Sequence, residues 1–270
     1  MNLPQNVSVR SLLARGHDGY SLEDEEAIAA LFVAEDAHFW HLSRNRFISK
    51  RLHKLGFPAP ARVLELGCGG GCVSAHLARQ GFRVTGVDGH LSRVIQAAHR
   101  APQATFVVHD LSKGLSELGG EMFDVVALFD VIEHLDDPRS VLEQAASRLA
   151  PGGILVGTVP SMMALWSDVD RRSGHRLRYE RPGLEELLRG LGNMEVAEVR
   201  PFNRMLIPLV WLQRKAVGGP DSLERGLEVP AAPVNASLLA LLGLEYRLSA
   251  VLDRIGFPGA SLWFALRARR

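Results

Sequence analysis

Seven residues, Glu65-Leu66-Gly67-Cys68-Gly69-Gly70-Gly71, end one apolar run and open the next. Glycine accepts positive φ and lets a ligand approach the backbone. A strand entering such a turn and a helix leaving it therefore form a binding site. Carboxylates stand at the ends of the apolar runs around it: Glu65 in RVLEL, Asp88 after RVTGV and Asp110 after FVVH. A carboxylate placed like Asp88 can accept both ribose hydroxyls of an adenosine. Asp110, with Leu111 beside it, stands to meet an adenine amino group, and Gly89 and His90 to wall the ring. A fourth run ends in Asp130-Val131-Ile132-Glu133-His134. His134 is a candidate general base at neutral pH, and a histidine that caps the loop is the competing reading. His175 follows Gly174 in DRRSGHRLRY and is a second candidate base or hydrogen-bond donor. Asp170, Arg178 and Tyr179 around it suit a polar acceptor, and a buried Asp170–Arg178 ion pair suits the same residues.

These groups need a scaffold that brings the ends of several strands together. The apolar runs 62–66, 82–87, 105–109, 123–129 and 154–159 read as strands. They alternate with helical stretches at 73–79, 91–100 and 138–149, the last closed by Pro151-Gly152-Gly153. Strands alternating with helices make a parallel sheet covered on both faces, and continuous apolar strands fit burial on both sides. The expected class is α/β, a Rossmann-like doubly wound and mostly parallel sheet. Residues 38–56 show helical spacing before a stop at Gly56, Pro58 and Pro60, and 22–33 reads as a short acidic helix. A helix at 181–191 and a strand at 194–200 follow, then apolar helices at 203–217 and 236–255 with a Gly/Pro linker between them, and a last strand at 261–268.

The 31 basic and 30 acidic residues nearly cancel, which gives no reason to expect nucleic acid. The longest uninterrupted apolar runs, 205–212 and 238–242, fall short of a bilayer span of about 18 residues, so no transmembrane segment is expected. Two cysteines, Cys68 and Cys72, share the glycine turn and read as reduced thiols of a cytoplasmic protein.

The dehydrogenase turn G-x-G-x-x-G would need glycine at position 72, which is Cys72. The glycines at 67, 69 and 71, preceded by an acid at 65, follow E/D-x-G-x-G-x-G. The ordered set ELGCGGG, VDGH, HDL, FDVVALFDVIEHLDDP and LAPGGILVGTVP resembles class I S-adenosylmethionine (SAM)-dependent methyltransferases. The flanks HFWHLSRNRF and LWSDVDRRSGHRLRY resemble a bacterial small-molecule branch related to ubiquinone-biosynthesis O-methyltransferases. The resemblance implies a seven-stranded sheet with its last strand antiparallel. It also implies SAM as cofactor and S-adenosylhomocysteine as product. Arg44 or Arg46 would clamp the SAM carboxylate, Glu65 its ammonium, and Asp130, Gly67, Cys68, Gly69 and Gly71 would complete the cofactor site. The stretch holding Trp166 and His175 would lie over the acceptor, with Trp40 helping to close the pocket. Some relatives carry E-x-x-E-H and bind a divalent metal with it. Here Asp130 replaces the first Glu, and no metal is expected.

The expected organisation is a helical lead-in over 1–57, a SAM-binding core over 58–200, an apolar helical insertion over 201–258 and a last strand over 259–270. The insertion suits a lid, a homodimer interface or a membrane-surface element. The expected activity is methyl transfer, at oxygen by resemblance, to a small molecule with an apolar part. A non-catalytic SAM-binding partner module is the alternative, with an NAD-dependent oxidoreductase behind it.

Overall fold

The computed structural model describes residues 4–9, 34–216 and 228–269. The sheet is built from β1 (Val7–Val9), β2 (Arg62–Leu66), β3 (Arg83–Asp88), β4 (Thr105–Val108), β5 (Phe123–Phe129), β6 (Leu149–Pro160), β7 (Met194–Phe202) and β8 (Ser261–Ala268). The strand order is β1-β4-β3-β2-β5-β6-β8-β7. All neighbours pair in parallel except β8, which runs antiparallel to both β6 and β7. The antiparallel last strand is therefore present, but the sheet has eight strands rather than seven. The extra strand lies in the segment expected to be a helical lead-in. Val7 to Val9 register with Phe106 to Val108, and Asn6 anchors them through Nδ2 to the Ala104 carbonyl at 3.1 Å. This added strand covers an edge that would otherwise expose unpaired backbone.

Side chains alternate across a strand, so each strand feeds both layers of the core. Val63, Val125, Ala127 and Phe129 face a cluster that includes Ile48, Leu52, Val73, Leu77, Val94 and Ala97. Leu64, Leu66, Val126 and Leu128 face Val141, Leu142, Leu184 and Leu188 on the other side. The first layer holds α1 (Phe39–Lys54), α2 (Cys72–Arg79) and α3 (Leu91–Arg100). The second holds α4 (Pro138–Ala146) and α6 (Arg181–Arg189), while the short α5 (Asp168–Arg172) follows β6. Pro151-Gly152-Gly153, expected to end a helix before a strand at 154, lies inside β6. The pairing with β5 shifts register there, and Gly152 takes a φ of 78°.

Between β7 and β8 the chain leaves the sheet as α7 (Ile207–Ala216) and α8 (Ala232–Arg254). The helix expected at 22–33 and most of the Gly/Pro linker, at 217–227, lie outside the described residues. Asn235 of α8 caps α1: its Oδ1 accepts the Phe39 amide at 2.8 Å and its Nδ2 donates to the Ala37 carbonyl at 2.9 Å. Phe39, Leu206 and Leu242 form a small separate core where α1, the lead into α7, and α8 meet.

Candidate active site

β3 and β5 flank β2 on opposite sides, and the chain leaves β2 at the point where the winding direction reverses. In doubly wound sheets the ligand crevice opens there, beyond the carboxyl ends of the strands. A cleft of about 830 Å³ occupies that place, within the range of roughly 300–1,000 Å³ usual for small-molecule sites. Arg44, Glu65, Gly67, Cys68, Gly69, Asp88, Gly89, His90, Asp110, Leu111, Asp130 and His134 all line it.

The glycine turn shapes the near wall. Gly67, Gly69 and Gly71 have φ of 74°, 53° and 75°. A Cβ on Gly67 would lie 2.6 Å from a Val131 methyl, and one on Gly71 would lie 2.7 Å from the Ala97 Cβ. These two glycines serve packing, and Gly71 lies beneath the cleft as the N-cap of α2. A Cβ on Gly69 would meet nothing within 4 Å, so this glycine faces open cleft.

Asp88 is buried and already organised. Its Oδ2 accepts the Gly69 amide at 2.9 Å, and its Oδ1 accepts the His90 amide at 3.0 Å and faces His90 Nδ1 at 3.1 Å. Burial alone would raise its pKa, but the His90 hydrogen bonds and the Arg93 charge bring it below the ordinary aspartate value. The carboxylate is thus held ionised at the cleft wall. Asp110 caps the short turn after β4 by accepting the Ser112 amide at 2.9 Å. Glu65 is buried and accepts a hydrogen bond from the Ser74 hydroxyl. Burial pushes Glu65 up to about 7, against the opposing pull of Ser74 and Arg44.

Asp130 follows β5 with a φ of 55°, an unusual conformation for a residue with a side chain. Three contacts impose it. Its amide donates to the Thr158 carbonyl, its Oδ1 accepts the Thr158 hydroxyl at 3.1 Å, and its Oδ2 pairs with Arg44 Nη1 at 2.7 Å. Arg44 also lies 4.8 Å from the centroid of Trp40, and its Nε has no hydrogen-bond partner among the described residues. Trp40 thus braces Arg44 from α1.

The far side of the cleft carries His134, with His175 behind it. The rings of His134 and His175 meet edge to face with centroids 4.8 Å apart. His134 Nδ1 lies 3.2 Å from the Gly174 carbonyl. Burial and the neighbouring His175 lower the His134 pKa, which favours the neutral ring that can accept a proton. His175 Nδ1 lies 3.1 Å from Asp170 Oδ1, and its Nε2 lies 4.0 Å from Glu133 Oε1. Asp170 and Arg178 are buried behind this ring and paired at 2.8 Å, while the Tyr179 hydroxyl donates to the Ile132 carbonyl. These three residues, expected to touch an acceptor, stand behind His175 and off the cleft wall. Trp166 ends the short turn 163–165 and also lies off the wall.

Glu133 is fully buried, and neither carboxylate oxygen has a hydrogen-bond partner among the described residues. Burial, with the Asp130 charge beside it, pushes its pKa well above the ordinary value. One donor atom from each of Glu133, His134 and His175 lies within 4.8 Å of the others. The donor set gathered here thus includes His175, while Asp130 pairs with Arg44 instead. Glu35, Arg93, Arg172, Ser173 and Gly174 also line the cleft. No sequence signal marked them, except that Gly174 precedes His175.

Residues 39–193 match the family model of the methyltransferase domain, and the chain belongs to that family. It is 40% identical over 98 residues to a ubiquinone biosynthesis O-methyltransferase of Caulobacter sp. (strain K31), covering 35% of this chain and 39% of that protein. It is 34% identical over 160 residues to the protein of the same name from Caulobacter vibrioides, covering 54% of this chain and 64% of that one. The matched stretch thus spans less than two thirds of either relative's length. Phosphoethanolamine N-methyltransferase 2 of Haemonchus contortus, solved with S-adenosyl-L-methionine, shares the fold at a TM-score of 0.59 and 18% identity, over 94% of this chain and 59% of that one. The [4+2]-cyclase SpnF shares it at a TM-score of 0.55 and 18% identity, over 85% and 82%. One fold thus hosts differently named activities, so the reaction has to be argued from the site.

Proposed function

We propose that this chain is a SAM-dependent methyltransferase that methylates a hydroxyl of a small molecule with a polar head and an apolar part. The observation that carries this reading is the cleft in which Asp88, Asp110 and Glu65 stand beside the open face of Gly69. The set suits a nucleoside joined to an amino acid. Asp88 would accept the ribose hydroxyls and Asp110 the adenine amino group. Glu65 would meet the ammonium, and the unpartnered Arg44 Nε the carboxylate. Turn geometry favours SAM over a dinucleotide, since Cys72 occupies the third glycine position of the dinucleotide turn. The free, buried Cys68 and Cys72 suit the cytoplasm as compartment.

When bound, SAM supplies an electrophilic methyl on sulfur: the acceptor oxygen forms the new C–O bond, the C–S pair returns to sulfur, and S-adenosylhomocysteine and a proton result. The chain aligns the acceptor and removes that proton. Neutral His134, on the cleft wall, is the candidate base. His175 stands behind it, its Nδ1 fixed by Asp170 and its Nε2 turned to Glu133. Asp170, in turn held by Arg178, acts as a positioning residue for that ring.

A second reading concerns the same three donors. The orphaned, buried Glu133 carboxylate with His134 and His175 fits a divalent cation. Such an ion would polarise an acceptor oxygen. Loss of turnover in EDTA and its return with magnesium or zinc favours this reading, whereas turnover indifferent to EDTA favours the metal-free one.

Calorimetric titration with S-adenosylhomocysteine, and in parallel with NADH, tests the assignment on the wild type and Asp88→Ala. Binding in the micromolar range that is lost in the variant and absent for NADH is expected. NADH binding alone would overturn the reading. Tight S-adenosylhomocysteine binding without turnover on any hydroxyl acceptor would leave a binding module.

A further inference from the structure

Helix α8 has two different apolar faces. The inner face carries Leu238, Leu239 and Leu242 against α1 and α7. The outer face carries Val234, Leu241, Leu244, Leu248, Val251 and Ile255, at spacings that draw one continuous stripe along the helix side. Leu241 is half-buried, and the other five are between 40% and 67% exposed. Phe257 continues the stripe past the helix end at 43%. Exposed apolar surface of this extent on one element marks an interaction site. Helix α7, packed beside α8 through Val210, adds exposed Leu209 and Leu212.

The charges on α8 are sorted by sign. Its two acids point inward: Glu245 is buried and accepts the Met205 amide at 3.0 Å, and Asp253 is bonded by Arg200 and Arg204. Its two exposed charges, Arg247 and Arg254, are both cations flanking the stripe. We propose that the outer face of α8 lies flat on an anionic lipid bilayer, with the Val234–Ile255 stripe in the acyl boundary and Arg247 and Arg254 at the phosphates.

Charge complementarity selects this occupant. A second copy packing α8 on α8 would bring two exposed arginines from each helix to the seam with no exposed α8 carboxylate to meet them, and paired helices normally oppose unlike charges there. A phosphate-rich surface satisfies the cations and the apolar stripe together. By length and composition α8 would also suit a bilayer-crossing helix, which uninterrupted apolar runs alone did not reveal. Crossing is incompatible with the fold, because Asn235, Glu245 and Asp253 tie the other face to α1, to the Met205 amide and to Arg200 and Arg204. The helix therefore lies on the membrane. Since Asn235 also caps α1, and α1 carries Arg44 into the cleft, docking sets the cleft beside the bilayer. An acceptor with an apolar tail could then be drawn from the lipid. The binding itself stands independently of the catalytic reading.

The test is co-sedimentation of the full chain with phosphatidylcholine vesicles and with vesicles enriched in phosphatidylglycerol. Binding to the anionic vesicles alone, weakened by salt, is expected. Arg247→Gln/Arg254→Gln should lower the partition coefficient roughly tenfold or more, given the usual contribution of each surface cation. Leu248→Glu/Val251→Glu should abolish binding, with S-adenosylhomocysteine affinity and thermal melting unchanged because both positions are solvent-exposed. Equal binding to neutral vesicles, or none to either, overturns the proposal. So does a dimer in sedimentation velocity that Leu248→Glu/Val251→Glu converts to monomer, since a second copy would then cover the stripe.

Discussion

Arg44 Nη1 donates to Asp130 Oδ2 at 2.7 Å, so α1 is locked to the residue that follows β5 and sits in a left-handed conformation. The guanidinium is buried, and among the described residues Asp130 forms no other ion pair. Removing one partner of a buried pair leaves an uncompensated charge, worth about 3 kcal/mol. Because Asp130 is partly exposed, Arg44→Met should cost somewhat less, about 2 kcal/mol, read as a lower urea midpoint. S-adenosylhomocysteine affinity should fall about tenfold or more with the lost charged donor. Arg44→Met/Asp130→Asn should regain most of the stability and none of the affinity. A single variant unfolding at the wild-type urea concentration would show that the pair does not hold α1.

Glu65 gives a pH dependence whose sign can be worked out. In the folded chain it keeps its proton up to about 7, against an ordinary value of 4.5. Between these values the folded state holds the extra proton, so this group's contribution makes the ligand-free chain less stable as pH rises. The ceiling of the effect is about 3 kcal/mol. Glu65→Gln keeps the shape and removes the titration. The stability of wild type relative to the variant should therefore decline from pH 4.5 to 7 and flatten above. Cofactor binding should run the other way, because an ammonium prefers the ionised carboxylate. Affinity for S-adenosylhomocysteine should rise through pH 7 in the wild type, with proton release that calorimetry in two buffers detects. A flat affinity in the wild type would remove Glu65 from the ammonium site.

Two glycines of the turn, Gly71 and Gly69, should fail in different ways. At Gly71 a methyl would collide with the Ala97 Cβ and backbone at 2.7 and 2.9 Å, on top of a φ of 75°. Gly71→Ala should therefore cost roughly 3 kcal/mol, in the range of overpacked and strained core changes. At Gly69 the methyl meets no atom, and only the conformational cost of about 1–2 kcal/mol applies. Its methyl would instead enter the cleft, so Gly69→Ala should lose ligand affinity in excess of its stability loss. Chemical denaturation and calorimetry on both variants separate the two effects. Equal losses in both would contradict the division between packing and ligand glycines.

The chain-local features were the legible ones. Strands such as 123–129 are continuous apolar runs because they are buried on both faces, and that burial writes itself into composition. The glycine turn is legible because positive φ restricts the residue type. β1 was not legible, because three residues of a polar segment carry no usable period and are held by pairing with β4. The start of β6 was hidden by Pro151-Gly152-Gly153, which reads as a stop although pairing carries the strand through it. The site was half legible for the same reason. Asp88 closes an apolar strand and is readable from that run, whereas Glu133 and His175 meet only because the segment after β6 folds back. Arg44 with Asp130, and Asn235 with Phe39, are likewise contacts across long stretches of chain, invisible to spacing.

Asp170 offers the clearest separation of positioning from binding. Its carboxylate is fully buried, accepts the Arg178 Nε at 2.8 Å and the Ser167 amide at 2.9 Å, and faces His175 Nδ1 at 3.1 Å. A carboxylate on one imidazole nitrogen fixes the tautomer and the orientation of the ring. Asp170→Asn keeps the volume and most hydrogen bonds but withdraws the charge. With the acceptor found by screening hydroxyl compounds against methyl-labelled SAM, Asp170→Asn should lower kcat roughly 10–100-fold and leave the KM for SAM unchanged. His175→Gln should give a similar loss, and the double variant should be no worse than either single one, because residues acting as a unit are not additive. If Asp170→Asn instead raises the KM for SAM in step with a lower melting temperature, the carboxylate supports only the fold of the segment after β6, and His134 acts without it.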